Sequence, residues 1–283
     1  MYEKHLKFVF TDHDTGEVYQ VGENLWELED VQGLFNPSYT VYTSDKATGR
    51  GMKVTGKQIK SREVTITASV TDTGENADAR LEANAFFNPL HSFRVDITYY
   101  NVTRWAECEL LSVDCPQDNM DAPTELKVMF LCPSGFLKSM ENFGKDIAEI
   151  SPQFSFPYVS PVGVGFDFGF YNFNNEVTLI NVGDVETQCT VVFTAKGPLT
   201  NPAITKNGKE YVKILKEMVL GDQIEIDFES GRITMNGERI TAIDRQSTFF
   251  FLDRGANTLT ASADVNIANL STVIYYNSEF LGV

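Results

Sequence analysis

The chain has 283 residues, of which 42% are hydrophobic and 22% charged, so it can bury a sizeable core and is not expected to be disordered. Its 39 acidic residues outnumber its 23 basic residues, and the formal net charge of −16 disfavours binding to nucleic-acid phosphates. At about 100 to 200 residues per domain, this length predicts two domains.

The sequence contains no run of about 18 apolar residues, so no membrane-spanning helix is expected. The first apolar cluster, residues 6–10, is short and alternating and is followed by Asp12, which does not fit a secretory signal. We therefore expect the protein to be made in the cytoplasm.

The cysteines are separated by 6, 16 and 56 residues, a spacing that matches no compact zinc site. They are Cys108, Cys115, Cys132 and Cys189. Buried free thiols are predicted, because Cys132 and Cys189 lie in apolar strand patterns.

Alternation of apolar and polar residues in the first half predicts half-buried β-strands. The clearest are residues 64–70, 93–99 and 126–132, and shorter ones occur at 6–10 and 18–21.

Between two of these strands, residues 77–87 are rich in helix formers and predict one short helix packed on a sheet. Asp72 and Glu75 resemble a helix start, and Asn88-Pro89 is expected to end the helix. Leu81 and Ala85 are predicted to share a helix face, and the Phe86-Phe87 pair is predicted to lie in the core.

From residue 133 to about 165 the alternation fades, and Pro, Gly and Ser accumulate. We place the boundary between a domain of residues 1–140 and a domain of residues 141–283 within this stretch. Alternation restarts at Phe166, Phe168 and Phe170.

Closely spaced turn signals follow, and many short antiparallel strands predict a β-sandwich in the second half. The turns are Asn207-Gly208, Gly221-Asp222, Ser230-Gly231 and Asn236-Gly237, and strands are predicted at 177–179, 191–195, 224–228 and 233–235. The charges of residues 206–217 recur at helix-like intervals, but the flanking turns favour a strand.

The histidines offer the first candidate chemistry, since His5 and His13 lie within nine residues beside Asp12 and Asp14, and His91 is the third. A metal site or a general base is one interpretation. The favoured one is a hairpin turn with exposed polar residues.

A second candidate is the acidic row Glu225, Asp227 and Glu229, which alternation places on one strand face. A glycosidase needs two carboxylates facing each other across a cleft, so the solvated face of a strand is favoured. The sequence contains no phosphate-binding loop, HExxH or GxSxG motif. No catalytic residue, cofactor or metal is predicted, and the protein is not expected to be an enzyme.

Three segments of the second half carry recognisable motifs: residues 179–184 (Leu-Ile-Asn-Val-Gly-Asp), 220–227 and 249–257, followed by a strand at 274–276 expected to be the last. In this order and spacing they resemble the distal tail protein family of siphophages. The motif residues are Asn181, Gly183, Asp184, Gly221, Asp222, Gly255 and Asn257. The first half, with one helix ending at Asn88-Pro89 and Leu131-Cys132-Pro133 before the boundary, is consistent with the same family.

The resemblance implies a mainly β protein, with an N-terminal β-sandwich-like ring domain containing one short helix and a C-terminal galectin-like β-sandwich. It implies a homo-hexamer that joins the tail tube protein to the tail tip or baseplate at the virion tail tip. Such a hub would offer a docking platform for a tail-associated lysin or fibre protein, would meet DNA only as passing cargo, and would be made in the host bacterial cytoplasm.

The alternative is an adhesion module that binds host cell-wall saccharides. Galectin sites combine a Trp with His, Asn and Arg, but Trp26, Trp105 and all three histidines precede the second domain, so sugar binding is not expected. Tyr158, Tyr171 or Tyr211 could still stack on a sugar ring.

Overall fold

The structure, a computed structural model, describes residues 5–23, 25–72, 74, 76–116, 122–140, 145–146 and 175–283. The predicted strand at 166–170 and two of the candidate tyrosines, Tyr158 and Tyr171, lie outside these residues. The described chain is mainly β with one α-helix, which confirms the predicted fold class.

The chain divides into two compact units. The first consists of Met1–Met140 together with Glu279–Val283, and the second of Glu141–Ser278. The last five residues thus lie with the first unit, whereas the sequence analysis placed all of 141–283 in the second domain. The chain therefore passes between the units twice.

The elements of the first unit are β1 (Leu6–Asp12), β2 (Val18–Val21), β3 (Trp26–Gln32), β4 (Tyr39–Asp45), β5 (Met52–Ile59), β6 (Arg62–Val70), α1 (Asn76–Phe86), β7 (Ser92–Tyr99), β8 (Val102–Asp114), β9 (Glu125–Cys132), β10 (Leu137–Ser139) and β22 (Glu279–Phe280). They form one antiparallel sheet with the strand order β2-β1-β7-β8-β9-β6-β3, in which β10 pairs with both β8 and β22. Among the described residues, β4 and β5 form a separate sheet of two strands.

The core of the first unit forms because alternate residues of its strands point to one face of the sheet. Phe10 on β1 packs edge to face against Phe87 and Phe130, with ring centroids 5.3 and 5.4 Å apart. Helix α1 adds Ala79, Ala83 and Phe86 to the same cluster, so the prediction that the Phe86-Phe87 pair is core is confirmed.

The predicted helix occurs, but its start and its buried face differ from the simplest expectation. It begins at Asn76, whose side chain bonds the backbone of Ala122 and Thr124, while Asp72 accepts a hydrogen bond from the Gly74 amide in the preceding turn. Leu81 does share a face with Ala85, but that face is the solvent-exposed one.

The strand at 274–276 is not the last, which corrects the sequence analysis. Strand β22 follows it and pairs with β10 through Leu137 opposite Phe280 and Lys138 opposite Glu279. A two-residue strand has no alternation to detect, so the pattern could not reveal it.

The second unit is a β-sandwich of two antiparallel sheets, as predicted. Its strands are β11 (Lys145–Asp146), β12 (Glu176–Asn181), β13 (Cys189–Ala195), β14 (Leu199–Lys206), β15 (Glu210–Lys213), β16 (Glu217–Met218), β17 (Gln223–Asp227), β18 (Arg232–Met235), β19 (Glu238–Arg239), β20 (Gly255–Val265) and β21 (Leu270–Tyr276). The sheet orders are β11-β21-β13-β17-β18-β19 and β12-β20-β14-β15, and β16 pairs with β14. A 3-10 turn, Ile267–Asn269, precedes β21.

Both sheets contribute to one buried cluster, for example Val191 and Phe193 from the first sheet and Ile204 and Leu259 from the second. The Asn-Gly turns have the positive φ values that tight hairpins require: 50° and 68° at Asn207-Gly208, and 53° and 85° at Asn236-Gly237. Within residues 206–217, the Asn207-Gly208 turn joins β14 to β15, so this stretch is strand and turn, as predicted, and not helix.

All four cysteines are free and buried, which confirms the sequence prediction. Burial raises the pKa of Cys132 and of Cys189 to about 12, so both thiols stay protonated near neutral pH.

In the described chain, α1 is too short and too polar to cross a membrane, and no other helix qualifies.

Candidate functional site

The histidine side chain that contacts Asp12 is His91, 79 residues away in sequence, rather than the nearby His5 or His13. His91 Nδ1 lies 2.7 Å from Asp12 Oδ2, and Asp12 Oδ1 accepts hydrogen bonds from the amides of Asp14 (2.7 Å) and Thr15 (3.3 Å). Burial alone would raise the pKa of Asp12, but these hydrogen bonds outweigh it and lower the pKa overall.

The carboxylate of Asp12 therefore holds a turn together. Asp12, Asp14 and His91 place one ligand atom each within 4.8 Å, yet both oxygens of Asp12 already accept hydrogen bonds, and Asp14 is exposed. The other two histidines are separate: His13 Nε2 lies 2.6 Å from Glu107 Oε2 on the surface, and His5 stacks on Tyr100. This geometry fits the hairpin-turn interpretation.

The acidic row does not lie on one strand face, because β17 ends at Asp227 and Glu229 lies in the turn that follows. Glu225 and Glu229 are exposed. Asp227 accepts hydrogen bonds from the amides of Glu229 and Ser230 and from the Ser230 hydroxyl, so it caps the turn that leads to β18. The arrangement suits a solvated strand face and a turn.

Four of the motif residues come together where β12 and β20 pair. Asn181 is opposite Gly255 in the register. Buried Asn181 donates from Nδ2 to the carbonyls of Val185 (2.8 Å) and Leu252 (3.1 Å), and its Oδ1 accepts from the Gly183 amide. One side chain thus closes its own turn and ties it to a loop 71 residues away.

Asn257 closes the loop of residues 253–257 in a similar way. It is fully buried, donates from Nδ2 to the carbonyls of Asp253 (2.7 Å) and Gly255 (3.1 Å), and accepts from the Asp253 amide. Gly255 has a φ of +92°, a backbone conformation that residues other than glycine rarely adopt. Asp184, by contrast, is exposed on the first turn.

The remaining motif residues, Gly221 and Asp222, form a separate turn. Asp222 accepts hydrogen bonds from the Val219 amide (2.8 Å) and from Asn236 Nδ2 (2.9 Å), which lower its pKa. The motif residues therefore hold loops and a turn. The buried side-chain amides of Asn181 and Asn257 are hydrogen-bonded to backbone groups.

Of the three tyrosines considered for sugar stacking, Tyr211 lies within the described residues, and it is half-buried on β15. Its hydroxyl donates to Asp244 at 2.8 Å, and this bond raises the pKa of the phenol.

One feature that the sequence analysis missed is the hairpin of β4 and β5. Most of its side chains are exposed, and Tyr39 and Met52 are each 65% exposed. Its signal was the Gly49-Arg50-Gly51 turn between two short runs rich in β-formers. A hairpin with this much exposed apolar surface is the natural candidate for an interaction surface in the first unit.

Comparison with known proteins assigns the class. Residues 182–280 match the model of a family described as "Siphovirus-type tail component, C-terminal domain". The matched stretch, 99 of the 283 residues, includes Gly255 and Asn257 but not Asn181. The match confirms the resemblance to siphophage distal tail proteins. No protein with a curated description matches the chain.

Solved structures share the fold of the whole chain. The Dit protein (gp 19.1) of phage SPP1 has a TM-score of 0.66 and 15% identity, over 97% of this chain and 99% of that one. Two structures of the phage P2 baseplate in its activated conformation, with Ca and with Sr, give TM-scores of 0.55 and 0.56 at 12% identity. They cover 99% and 98% of this chain and 99% of the matched chains.

Proposed function

We propose that this protein is the hub of a siphophage tail tip: a homo-hexameric ring that joins the tail tube to the tip or baseplate. The first units form the ring, and the second units provide a docking platform for adhesion proteins or a tail-associated lysin. The protein acts as a structural component of the virion, made in the host cytoplasm, and DNA passes it without being bound.

The observation that carries this proposal is the extent of the structural likeness. The SPP1 protein, whose structure is described as a paradigm of the hub adsorption apparatus in phages infecting Gram-positive bacteria, matches over nearly the full length of both chains. The likeness therefore extends over both units, to which this proposal assigns the ring and the platform. A likeness limited to the second unit would support only the platform.

A structural role also agrees with the chemistry of the described residues. The candidate carboxylates Asp12 and Asp227 accept backbone hydrogen bonds that hold turns. The buried thiols have raised pKa values and are poor nucleophiles.

Negative-stain electron microscopy of the purified full-length protein tests the proposal. We expect ring-shaped particles with sixfold class averages and an open centre. Particles of single or paired chains at every concentration, or rings with a different number of copies, would contradict it.

A further inference from the structure

Two of the four free cysteines lie opposite each other on neighbouring strands of the first unit. Strands β8 and β9 are antiparallel, and Glu109 is paired with Leu131. The residue before Glu109 therefore faces the residue after Leu131, which places Cys108 opposite Cys132. Both side chains point into the core and are 1% and 0% exposed. Burial raises the pKa of Cys108, and the charge of Cys132 adds to this effect, as expected of neighbouring thiols.

The backbone spacing at this position suits a disulfide. Residues directly opposite each other in an antiparallel pair have Cα atoms about 4.5 to 5.5 Å apart, and disulfides form at Cα separations of about 4.4 to 6.8 Å. A bond between Cys108 and Cys132 therefore requires side-chain rotation and little movement of the strands. The other two cysteines are placed differently: Cys189 lies opposite Tyr276 in the second unit, and Cys115 lies about 20 Å beyond Cys108 at about 3.3 Å per residue.

The end of the chain helps to close off this pair. Arg62 on β6 is opposite Cys132, on the side of β9 that faces away from Cys108. Its guanidinium is buried and donates a hydrogen bond to the Leu281 carbonyl. The C-terminal segment, Glu279–Val283, also supplies the strand that pairs with β10, and β10 in turn pairs with β8. Release of this segment therefore loosens both strands that carry the cysteines.

We propose that Cys108 and Cys132 are a latent cross-strand disulfide, a thiol pair that bonds on oxidation and is shielded by the C-terminal segment, Glu279–Val283. The oxidant is a small-molecule disulfide such as oxidised glutathione. One cysteine thiolate attacks it, forms a mixed disulfide and releases one molecule of glutathione. The second cysteine thiolate then attacks the protein sulfur of that mixed disulfide and releases the other glutathione. The two cysteines lose two electrons and two protons, which the glutathione disulfide gains.

The reaction is slow in the closed chain, because burial keeps both thiols protonated and excludes the oxidant. Local opening of the sheet near the C-terminal segment therefore sets the rate. A reducing cytoplasm keeps such a pair free, and an oxidising medium outside the cell closes it. The closed bond ties β8 to β9 covalently. The inference concerns a single chain, so it stands or falls independently of the hub proposal.

Thiol counting in the full-length protein tests the pair. The folded protein is incubated with oxidised glutathione at mildly alkaline pH and then unfolded, and its free thiols are titrated. We expect the wild type to fall from four free thiols to two without forming a disulfide between chains. The matched control, Cys115→Ala, should fall from three to one. Cys108→Ala and Cys132→Ala should each keep all three, because the partner thiol is missing.

Deletion of Glu279–Val283 tests the shield and should raise the rate of thiol loss at least about tenfold. Phe280→Ala, which weakens the pairing of β22 with β10, gives the same test in a chain of full length. Circular dichroism verifies that each variant is folded. Four free thiols in the wild type and in both variants after prolonged oxidation, or thiol loss that persists in Cys108→Ala, would overturn the disulfide. Equal rates in all three chains would overturn the shield.

Discussion

Arg62 Nη2 donates a hydrogen bond of 2.6 Å to the main-chain oxygen of Leu281, 219 residues further along the chain. The same buried guanidinium donates to the carbonyls of Gly135 and Leu34. Gly135 has a φ of +75°, and a Cβ there would lie 2.2 Å from the Lys60 carbonyl, so only glycine fits. One arginine thus joins three separate segments of the first unit.

Deleting Glu279–Val283 should destabilise the first unit. The deletion removes the partner strand of β10, one acceptor of Arg62, and Val283, which packs on the core. We expect a loss of about 2 to 4 kcal/mol in the free energy of unfolding. Hydrogen exchange should increase in β10 and β8 and stay unchanged in β13 and β17. Unchanged exchange in β10 would show that the tail contributes nothing, and Leu81→Ala on the exposed helix face is the neutral control.

Asn257→Ala should destabilise the second unit by about 2 to 3 kcal/mol, because three hydrogen bonds to a fully buried amide are lost. Glu186→Ala, at an exposed site on the neighbouring turn, should cost less than about 0.5 kcal/mol. Urea unfolding, followed by far-ultraviolet circular dichroism, compares the unfolding midpoints of the two variants. Equal midpoints would mean that the motif asparagine does not hold the loop.

Asp12→Asn should reduce stability in a pH-dependent way. The folded pKa of Asp12 is lowered from 3.8, so its contribution is present above the unfolded pKa and is lost as the pH falls through the folded value. We expect the variant to be about 1 to 2 kcal/mol less stable at pH 7, and the difference to shrink as the pH falls through the folded pKa of Asp12. A difference that stays constant over the whole acid range in which both proteins remain folded would contradict the charged hydrogen-bonding role. His13→Ala, on the surface, should leave both stability and assembly unchanged.

Lys206→Met should remove a cation on which the second unit depends. Lys206 Nζ lies 2.8 Å from Asp253 and 3.2 Å from Glu210, and it donates to the Phe251 carbonyl. Burial alone would lower its pKa, but the two carboxylates raise it above 10.5. Its stabilisation is therefore full below about pH 10 and is lost as the pH rises through the folded pKa.

The expected loss for Lys206→Met at pH 7 is about 2 kcal/mol. Exposed Lys209→Met, three residues away, is the matched control and should be nearly neutral. Thermal melts of both variants at pH 7 separate the two cases, and equal melting temperatures would exclude the proposed role of the buried amine.

The sequence predicted those parts of the fold whose patterns are local. Strands such as β6 and β9 alternate over eight or nine residues, and the Asn-Gly turns require only their own backbone angles. It did not predict β22, because two residues carry no period and their partner β10 lies far away in sequence. It also passed over the β4–β5 hairpin, in which most side chains are exposed among the described residues.

The motif residues can be read from the sequence, but the contacts that they make cannot. The motif contained Asn181 and Asn257, yet the sequence gives no indication that each amide holds a buried loop. The Leu252 carbonyl bound by Asn181 lies 71 residues away, so only the folded structure reveals the contact. The positive charge of the hairpin was likewise hidden, because the overall net charge of −16 masks four basic residues against one acidic residue within residues 39–59.

Native mass spectrometry of the full-length protein at physiological ionic strength tests the central claim most directly, because it counts the copies in the assembly. Six copies of a 31.7 kDa chain give about 190 kDa, and this species should grow with protein concentration at the expense of the monomer. A dimer or trimer as the largest species, or a monomer at every concentration, would contradict the account of this protein as a hexameric tail hub.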